Sequence, residues 1–157
     1  MRVLVMVKAT PESEDGVPPD PAMFEAMGRF NEELVDAGIL LAADGLAPSS
    51  KGKRIAFDGD SRTVIDGPFG GPGDLVAGFW LWQVKDMGEA VAWVKRCPNP
   101  MPGPSEIEIR PLMEAEDIEA WFTPETQDRR QRMRDKLDGT LGEAGAFVGL
   151  GRRTREA

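Results

Sequence analysis

The order of the apolar segments constrains this fold more than any other feature, because a strand, helix and strand pattern occurs twice along the chain. Residues 2–8 are apolar and β-branched on both faces, as in a central strand that is covered on both sides. An apolar stripe at helical spacing then predicts the first helix, and it comprises Met23, Met27, Phe30 and Leu34. Asp20 and Pro21 begin this helix, Gly38 ends it, and residues 39–43 predict the second strand.

The middle of the chain carries the signals of a β-hairpin. Residues 54–57 and 62–65 favour strands, and the segment between them, Asp58-Gly59-Asp60-Ser61, is typical of a tight turn. Residues 66–73 follow, and their glycine and proline content favours an irregular segment. The hairpin is therefore expected as an addition between the two halves of the fold.

The second half repeats the pattern of the first. Residues 76–84 predict an aromatic strand, a helix begins at Asp86, and residues 106–110 alternate as a strand with one apolar face. This order is that of a ferredoxin-like α+β fold with an inserted hairpin, and right-handed crossovers place both helices on one face of the sheet. No large element before residue 113 remains to cover the other face. We therefore expect a second copy to cover it, which predicts a homodimer that forms an α+β barrel.

Residues 119–157 are predicted to be a helical extension of a domain that spans residues 1–118. A short helix is expected from Glu114 to Phe122 and a charged helix from Glu125 to Leu137. The arginines of this second helix are expected to be solvated or to pack on a partner, since a net charge of -8 disfavours nucleic-acid binding. The basic segment Arg152-Arg153-Thr154-Arg155 is expected to be a frayed end.

The composition excludes several kinds of chemistry. The chain has no histidine and one cysteine, Cys97, which excludes histidine acid–base catalysis, cysteine–histidine pairs and zinc sites of Cys and His ligands. We expect no metal and no cofactor. Its 27 acidic and 19 basic residues also disfavour anionic membranes as partners. The N-terminal apolar run is too short for a signal peptide and a lone cysteine fits a reducing compartment, so the sequence predicts a cytoplasmic protein.

Five segments, in this order and spacing, resemble the YCII-related, DGPF-containing proteins. They are Met6–Ala9, Phe30–Leu34, Asp66–Phe69, Gly78–Trp80 and Arg96–Arg110. The resemblance covers residues 1 to about 118 and implies a dimeric α+β barrel. Relatives in that superfamily include small cofactor-free monooxygenases, isomerases and dehydrochlorinases, and some DGPF proteins are encoded beside or fused to extracytoplasmic-function sigma factors.

The catalytic pair proposed for YCII-type relatives does not transfer to this chain. That pair is a histidine on the first helix and an aspartate near the second strand. The matching positions here fall near Met27 and at Asp44. Without a histidine, Asp44 remains only as a candidate ligand contact.

The segment Asp66-Gly67-Pro68-Phe69 is the first candidate site. An aspartate that ends a strand before a Gly-Pro turn can face a cleft as a base or ligand anchor, with Phe69 as a pocket wall. The same residues are also consistent with an Asx-type turn that fixes the exit of the hairpin, with Phe69 as a core residue.

Charged residues on the strands form the second candidate. Lys8 ends the first strand, and Arg110 lies on the charged side of the last one. Together with Asp44 or Glu108, they would form a polar floor for an anionic small molecule. The alternative is an internal ion pair that stabilises the sheet.

Three further segments are expected to have structural roles. The loop Ser49-Ser50-Lys51-Gly52 lacks the glycine spacing of a P-loop, so no phosphate site is predicted there. Phe79 is expected on one face of its strand and Trp80 and Trp82 on the other, where the two indoles would fill the dimer core. Cys97 is expected to be unreactive.

Two functions remain open. The first is a small-molecule binder, or a metal-free and cofactor-free enzyme with a carboxylate as base, whose pocket lies inside each barrel. The second is a non-catalytic regulatory or interaction module that binds its partner through the helical extension. The resemblance implies extracytoplasmic-function sigma factors as a possible link for this second function.

Overall fold

The computed structural model of the chain describes residues 1–114, 117 and 121–144. Its strands are β1 (Arg2–Lys8), β2 (Leu40–Gly45), β3 (Lys53–Asp58), β4 (Ser61–Asp66), β5 (Val76–Gln83) and β6 (Ile107–Pro111). Its α-helices are α1 (Pro11–Glu14), α2 (Pro21–Asp36), α3 (Met87–Val94) and α4 (Pro124–Ala144). Short 3-10 turns occur at Ser49–Lys51 and Pro72–Asp74.

The main sheet has the strand order β2-β5-β1-β6, and all of its neighbouring strands are antiparallel. This order confirms the predicted ferredoxin-like arrangement. Strands β3 and β4 form a separate two-stranded sheet, which confirms the inserted hairpin. The barrel made by two copies stays a prediction.

Helices α2 and α3 pack on one face of the main sheet and form the helix-covered core with it. Val3 and Val5 of β1 and Trp82 of β5 are fully buried there, against Leu34 of α2 and Ala90 of α3. A larger set of buried apolar side chains completes the cluster, and it includes Val7, Phe30, Ile39, Ala43, Trp80 and Val84. Burial of this apolar surface is the main stabilising contribution to the fold.

The two indoles on β5 lie in this core and not on the opposite face of the sheet. The ring of Phe30 contacts both Trp80 and Trp82, with ring centroids 6.4 Å apart in each pair. The indole N–H of Trp80 donates a hydrogen bond to Asn31 Oδ1 at 2.8 Å. The prediction that these two residues fill a dimer core was therefore wrong, because the alternation of β5 turns them toward α2. Phe79 lies on the opposite face, as predicted.

The opposite face of the sheet, called the open face below, has an apolar centre. It is formed by Leu4 and Met6 of β1, which pair with Leu81 and Phe79 of β5. All four side chains remain partly exposed, whereas their neighbours on the helix-covered face are buried. None of them belongs to the buried core cluster found among the described residues.

The helix starts follow from capping residues. Asp20 accepts from the backbone N–H of Ala22 and begins α2, as predicted, while Asp86 accepts from Glu89 and begins α3. Helix α1 was not predicted from the sequence. A capping box between Thr10 and Ser13, with Pro at the first position, supports this short helix.

A polar link joins Glu114, just after β6, to β1. The carboxylate of Glu114 accepts from the backbone N–H, Nε and Nη2 of Arg2, and Arg2 lowers the pKa of this carboxyl. The charged helix predicted from Glu125 to Leu137 is present as α4 and is longer than expected. The helix predicted over residues 114–122 lies partly outside the described residues, and the basic segment 152–155 lies wholly outside them. No helix in the described part of the chain is long and apolar enough to cross a membrane.

Candidate functional site

A cleft of about 340 Å³ lies where α1, the end of β2, the start of β5 and the base of the hairpin meet. Its walls are mostly apolar and consist of Leu46, Ala47, Pro48, Phe69, Leu75 and Val76. Its polar lining consists of Glu14, Ser49 and Lys51, and Gly52 completes it. This volume and mixture of groups are typical of a site for a small molecule.

The floor of the cleft is organised by Ser49, which is 9% exposed. Its backbone N–H donates to both carboxylate oxygens of Glu14, at 3.2 and 3.0 Å, and its hydroxyl donates to Glu14 Oε2. The same hydroxyl oxygen accepts from the backbone N–H of Phe69 at 3.2 Å. One serine therefore joins helix α1 to the loop that follows the hairpin.

Glycine at position 67 allows the two loops to meet. A Cβ at Gly67 would overlap the carbonyl oxygen of Ser49, and it would lie 3.2 Å from the Cα of Ser50. The backbone N–H of Gly67 donates to the carbonyl of Gly52 at 3.1 Å, and the Gly67–Pro68 peptide bond is cis. The contacts of Gly67 with residues 49–52 and the hydrogen bond from the Phe69 N–H to Ser49 hold this loop against the turn of residues 49–51.

Phe69 forms one wall of the cleft and is held from the side of the hairpin. The guanidinium carbon of Arg54 lies 4.4 Å from the centroid of its ring, a cation–π contact. A Cβ at Gly52 would lie 3.3 Å from the ring edge, so a side chain there would press on the ring. The hairpin and the 3-10 turn together fix the position of this wall.

Two residues of the DGPF segment, Phe69 and Asp66, differ in their position relative to the cleft. Phe69 lines the cleft, as a pocket wall would. Asp66 does not line it, because its carboxylate pairs with Lys53 across the base of the hairpin and its side chain is 74% exposed. The role of Asp66 as a base or ligand anchor stays a prediction, and so does the Asx-type turn, since the carboxylate contacts a lysine side chain and Phe69 does not belong to the buried core cluster.

The structure brings together Lys8 and Arg110 on the open face but outside the cleft. Lys8 Nζ lies 3.7 Å from Glu108 Oε2, and Arg110 Nε lies 3.9 Å from Glu108 Oε1. Both pairs are partly exposed, with the Arg110 side chain 71% accessible, so the internal ion pair also stays a prediction. Asp44 is exposed on β2, where its carboxylate accepts from the backbone N–H of Gly45. A polar floor made jointly by these residues stays a prediction.

Sequence reasoning missed Glu14 and Ser49, the two polar residues at the centre of the site. Glu14 is brought to the cleft by α1, and the Thr10-Pro11-Glu12-Ser13 sequence was a capping signal that could have predicted this helix. No local signal pairs Glu14 with Ser49, which are 35 positions apart.

Cys97 and the acidic residues offer no alternative centre in the described part of the chain. No group of three or more Cys, Asp or Glu side chains is arranged there to hold a metal ion. Burial raises the pKa of the Cys97 thiol to about 12, so this thiol is protonated at neutral pH. The cleft is therefore the site to which we assign function.

Comparison with known proteins places the chain in one family. The model of the YCII-related domain matches residues 1–116. An uncharacterised protein of Rhizobium meliloti (strain 1021) is 25% identical over 93 residues, which covers 59% of this chain and 75% of that protein. Since the match spans β1 to β6 and most of the chain, the chain belongs to the YCII-related domain family.

Proposed function

We propose that the chain binds a small, largely apolar molecule in the cleft between the 3-10 turn at Ser49–Lys51 and the loop that ends at Phe69. The observation that carries this proposal is a hydrogen-bonded polar floor beneath apolar walls. The hydroxyl of Ser49 has partners on both sides, Glu14 and Phe69, so the floor is organised before any ligand arrives. Preorganisation of this kind lowers the entropic cost of binding.

Binding is favoured over nucleophilic catalysis by the same hydrogen bonds. A serine nucleophile must be open to its substrate, whereas Ser49 is 9% exposed and its Oγ already accepts a hydrogen bond from Phe69. Glu14 is the single carboxylate among the described residues that line the cleft, and the N–H and O–H groups of Ser49 occupy it. If the site turns over a substrate, Glu14 is the base that it offers.

A neutral fluorescent probe, N-phenylnaphthylamine, tests this proposal by titration. We expect saturable binding that is lost in Ala47→Trp, which fills the cleft, and weakened in Phe69→Ala, which removes a wall. Phe57→Ala is the matched control, because Phe57 is 71% exposed on the hairpin and lies outside the cleft lining. Equal affinity of the wild type and Ala47→Trp for the probe, with an unchanged circular dichroism spectrum, would contradict the proposal.

We also propose that two copies pair through the open face. The apolar centre formed by Leu4, Met6, Phe79 and Leu81 supports this, since the helices lie on the other side of the sheet. Two sheets that pack face to face would remove these side chains from water, a favourable change. The barrel predicted from the sequence would then be formed by β-sheets from both copies.

Sedimentation at micromolar concentration tests the pairing. We expect a species of twice the 17.1 kDa chain mass, and we expect Leu81→Asp to convert it to a single copy. Val35→Asp is the control, because Val35 is 49% exposed on the outer side of α2 and should leave the mass unchanged. A wild-type protein that sediments as one copy would contradict the proposal.

The regulatory alternative rests on the extension. Trp121, just before α4, is 70% exposed, and Met133 within α4 is 51% exposed, so this region presents apolar side chains to solvent. Such residues are common at protein–protein contacts. Absence of probe binding, combined with capture of an extracytoplasmic-function sigma factor that requires Trp121, would favour this function over small-molecule binding.

A further inference from the structure

The rim of the cleft carries a cationic hydrogen-bond donor, the ammonium group of Lys51. The carboxylate of Glu14 accepts from two donors of Ser49, the backbone N–H, which is shared between both oxygens, and the hydroxyl. In contrast, the ammonium group of Lys51, at the rim, has no ion-pair or hydrogen-bond partner among the described residues. A lysine ammonium group has three donors and no acceptor.

A second cation lies behind the wall of the cleft. The guanidinium of Arg54 covers the ring of Phe69 and has no carboxylate partner in the described part of the chain. Its neighbour Lys53 differs, because it is paired with Asp66. Lys51 at the rim and Arg54 behind Phe69 thus form no ion pair with any described residue, and Glu14 is the one carboxylate in the described lining of the cleft.

We propose that the ligand of the cleft has an apolar body and an acidic head group, such as a carboxylate, that Lys51 binds this head group, and that Arg54 positions Phe69. This inference rests on the proposed function and adds the ligand class to it. The apolar walls contact the body of the ligand. The head group supplies an acceptor partner for the ammonium group of Lys51, and the two form a charge-assisted hydrogen bond.

Two probes with the same ring system distinguish the contribution of the head group to binding from that of the apolar body. Anilinonaphthalene sulfonate carries an anionic group, and N-phenylnaphthylamine is its neutral counterpart. We expect the wild type to bind the sulfonate more tightly than the neutral probe. Lys51→Met should lower the affinity for the sulfonate by about tenfold, the effect of one charge-assisted hydrogen bond at a partly exposed site. The neutral probe should bind Lys51→Met as it binds the wild type.

Matched variants control for charge and for the cation–π contact. Lys53→Met removes the same charge from the neighbouring hairpin and should change neither affinity, since Lys53 is paired with Asp66. Arg54→Leu should lower the affinity for both probes, because Phe69 loses its cation–π contact. Arg54→Lys should show a smaller loss of affinity, because lysine keeps the positive charge. Arg62→Leu is the control, as Arg62 covers the ring of Phe57 at the same distance of 4.4 Å but outside the cleft.

The outcomes distinguish this inference from the proposed function. If both probes bind the cleft equally, or Lys51→Met and Lys53→Met behave alike, the acidic-ligand inference fails and the binding site stands. If Arg54→Leu leaves both affinities unchanged, its positioning role fails. If neither probe binds, or both still bind Ala47→Trp, the proposed function fails and the inference fails with it.

Discussion

The helix-covered core and the cleft are held together by different contacts. In the core, Leu34 and Trp82 are fully buried among apolar side chains, and shape and volume decide which residue fits. At the cleft, Ser49 joins α1 to the loop at Phe69 by hydrogen bonds, and Gly67 must lack a side chain. The core tolerates apolar substitutions of similar volume, whereas the cleft depends on particular atoms.

This difference separates stability from binding. Loss of apolar volume in the core lowers the free energy of unfolding of the whole domain. Loss of a hydrogen bond at the cleft has a smaller effect on stability, but it moves the wall against which a ligand packs. The free energy of unfolding and the affinity for a probe therefore distinguish the two regions when variants at neighbouring positions are compared.

The largest loss of stability is expected for Leu34→Ala in the core. The side chain is fully buried, so its truncation leaves a cavity and should lower the free energy of unfolding by about 2–5 kcal/mol. Urea denaturation measures this change. Val35→Ala, at an exposed neighbouring position, should change it by less than about 0.5 kcal/mol. Similar losses at both positions would contradict the assignment of the core.

Gly67→Ala is expected to have the largest effect at the cleft. The new Cβ would overlap the carbonyl of Ser49, so the loop must move, at a cost of about 1–3 kcal/mol. Because Phe69 moves with the loop, probe binding should be lost as well. Gly71→Ala is the control, since a Cβ there meets no atom within 4 Å. Retained probe affinity in Gly67→Ala would show that this contact does not shape the cleft.

Ser49→Ala tests whether the floor of the cleft acts mainly on binding. It removes the hydroxyl that donates to Glu14 and accepts from Phe69, and we expect a loss of about 1–2 kcal/mol. Probe affinity should fall as well, because Phe69 is released. Ser50→Ala, at the exposed neighbouring position, should change neither quantity. A purely structural serine would lower stability and leave the affinity unchanged.

The smallest effect is expected for Asp66→Ala at the base of the hairpin. Its ion pair with Lys53 is exposed, with side chains 74% and 64% accessible, and exposed pairs contribute about 0–1 kcal/mol. The sequence hypothesis of a ligand anchor would instead require a clear loss of probe affinity at unchanged stability. Thermal unfolding and titration of the same variant distinguish the two.

Much of the fold could be predicted because its signals are local. The stripe of α2 with Asp20 at its start, the turn between β3 and β4, and the alternation in β6 each depend on residues a few positions apart. Their order then restricts the sheet to few topologies. Helix α1 was missed, since four residues provide too short a pattern without attention to the capping box at Thr10.

The candidate site was predictable only in part. Phe69 was expected as a wall, and the structure places it there. Glu14 and Ser49 were not expected, because neither is unusual in its own segment. The side of the sheet on which Trp80 and Trp82 lie was also misjudged, since alternation separates two faces but does not say which one the helices cover.

The sequence by itself determined the order of the elements, their caps and turns, and the absence of histidine chemistry, because these depend on composition and short-range spacing. The tertiary structure decided which distant residues meet. The contact of Glu14 with Ser49, the approach of Gly67 to the same turn, and the stacking of Arg54 on Phe69 arise when the sheet brings the ends of its strands together. Such contacts depend on three-dimensional packing, and no local pattern in the chain encodes them.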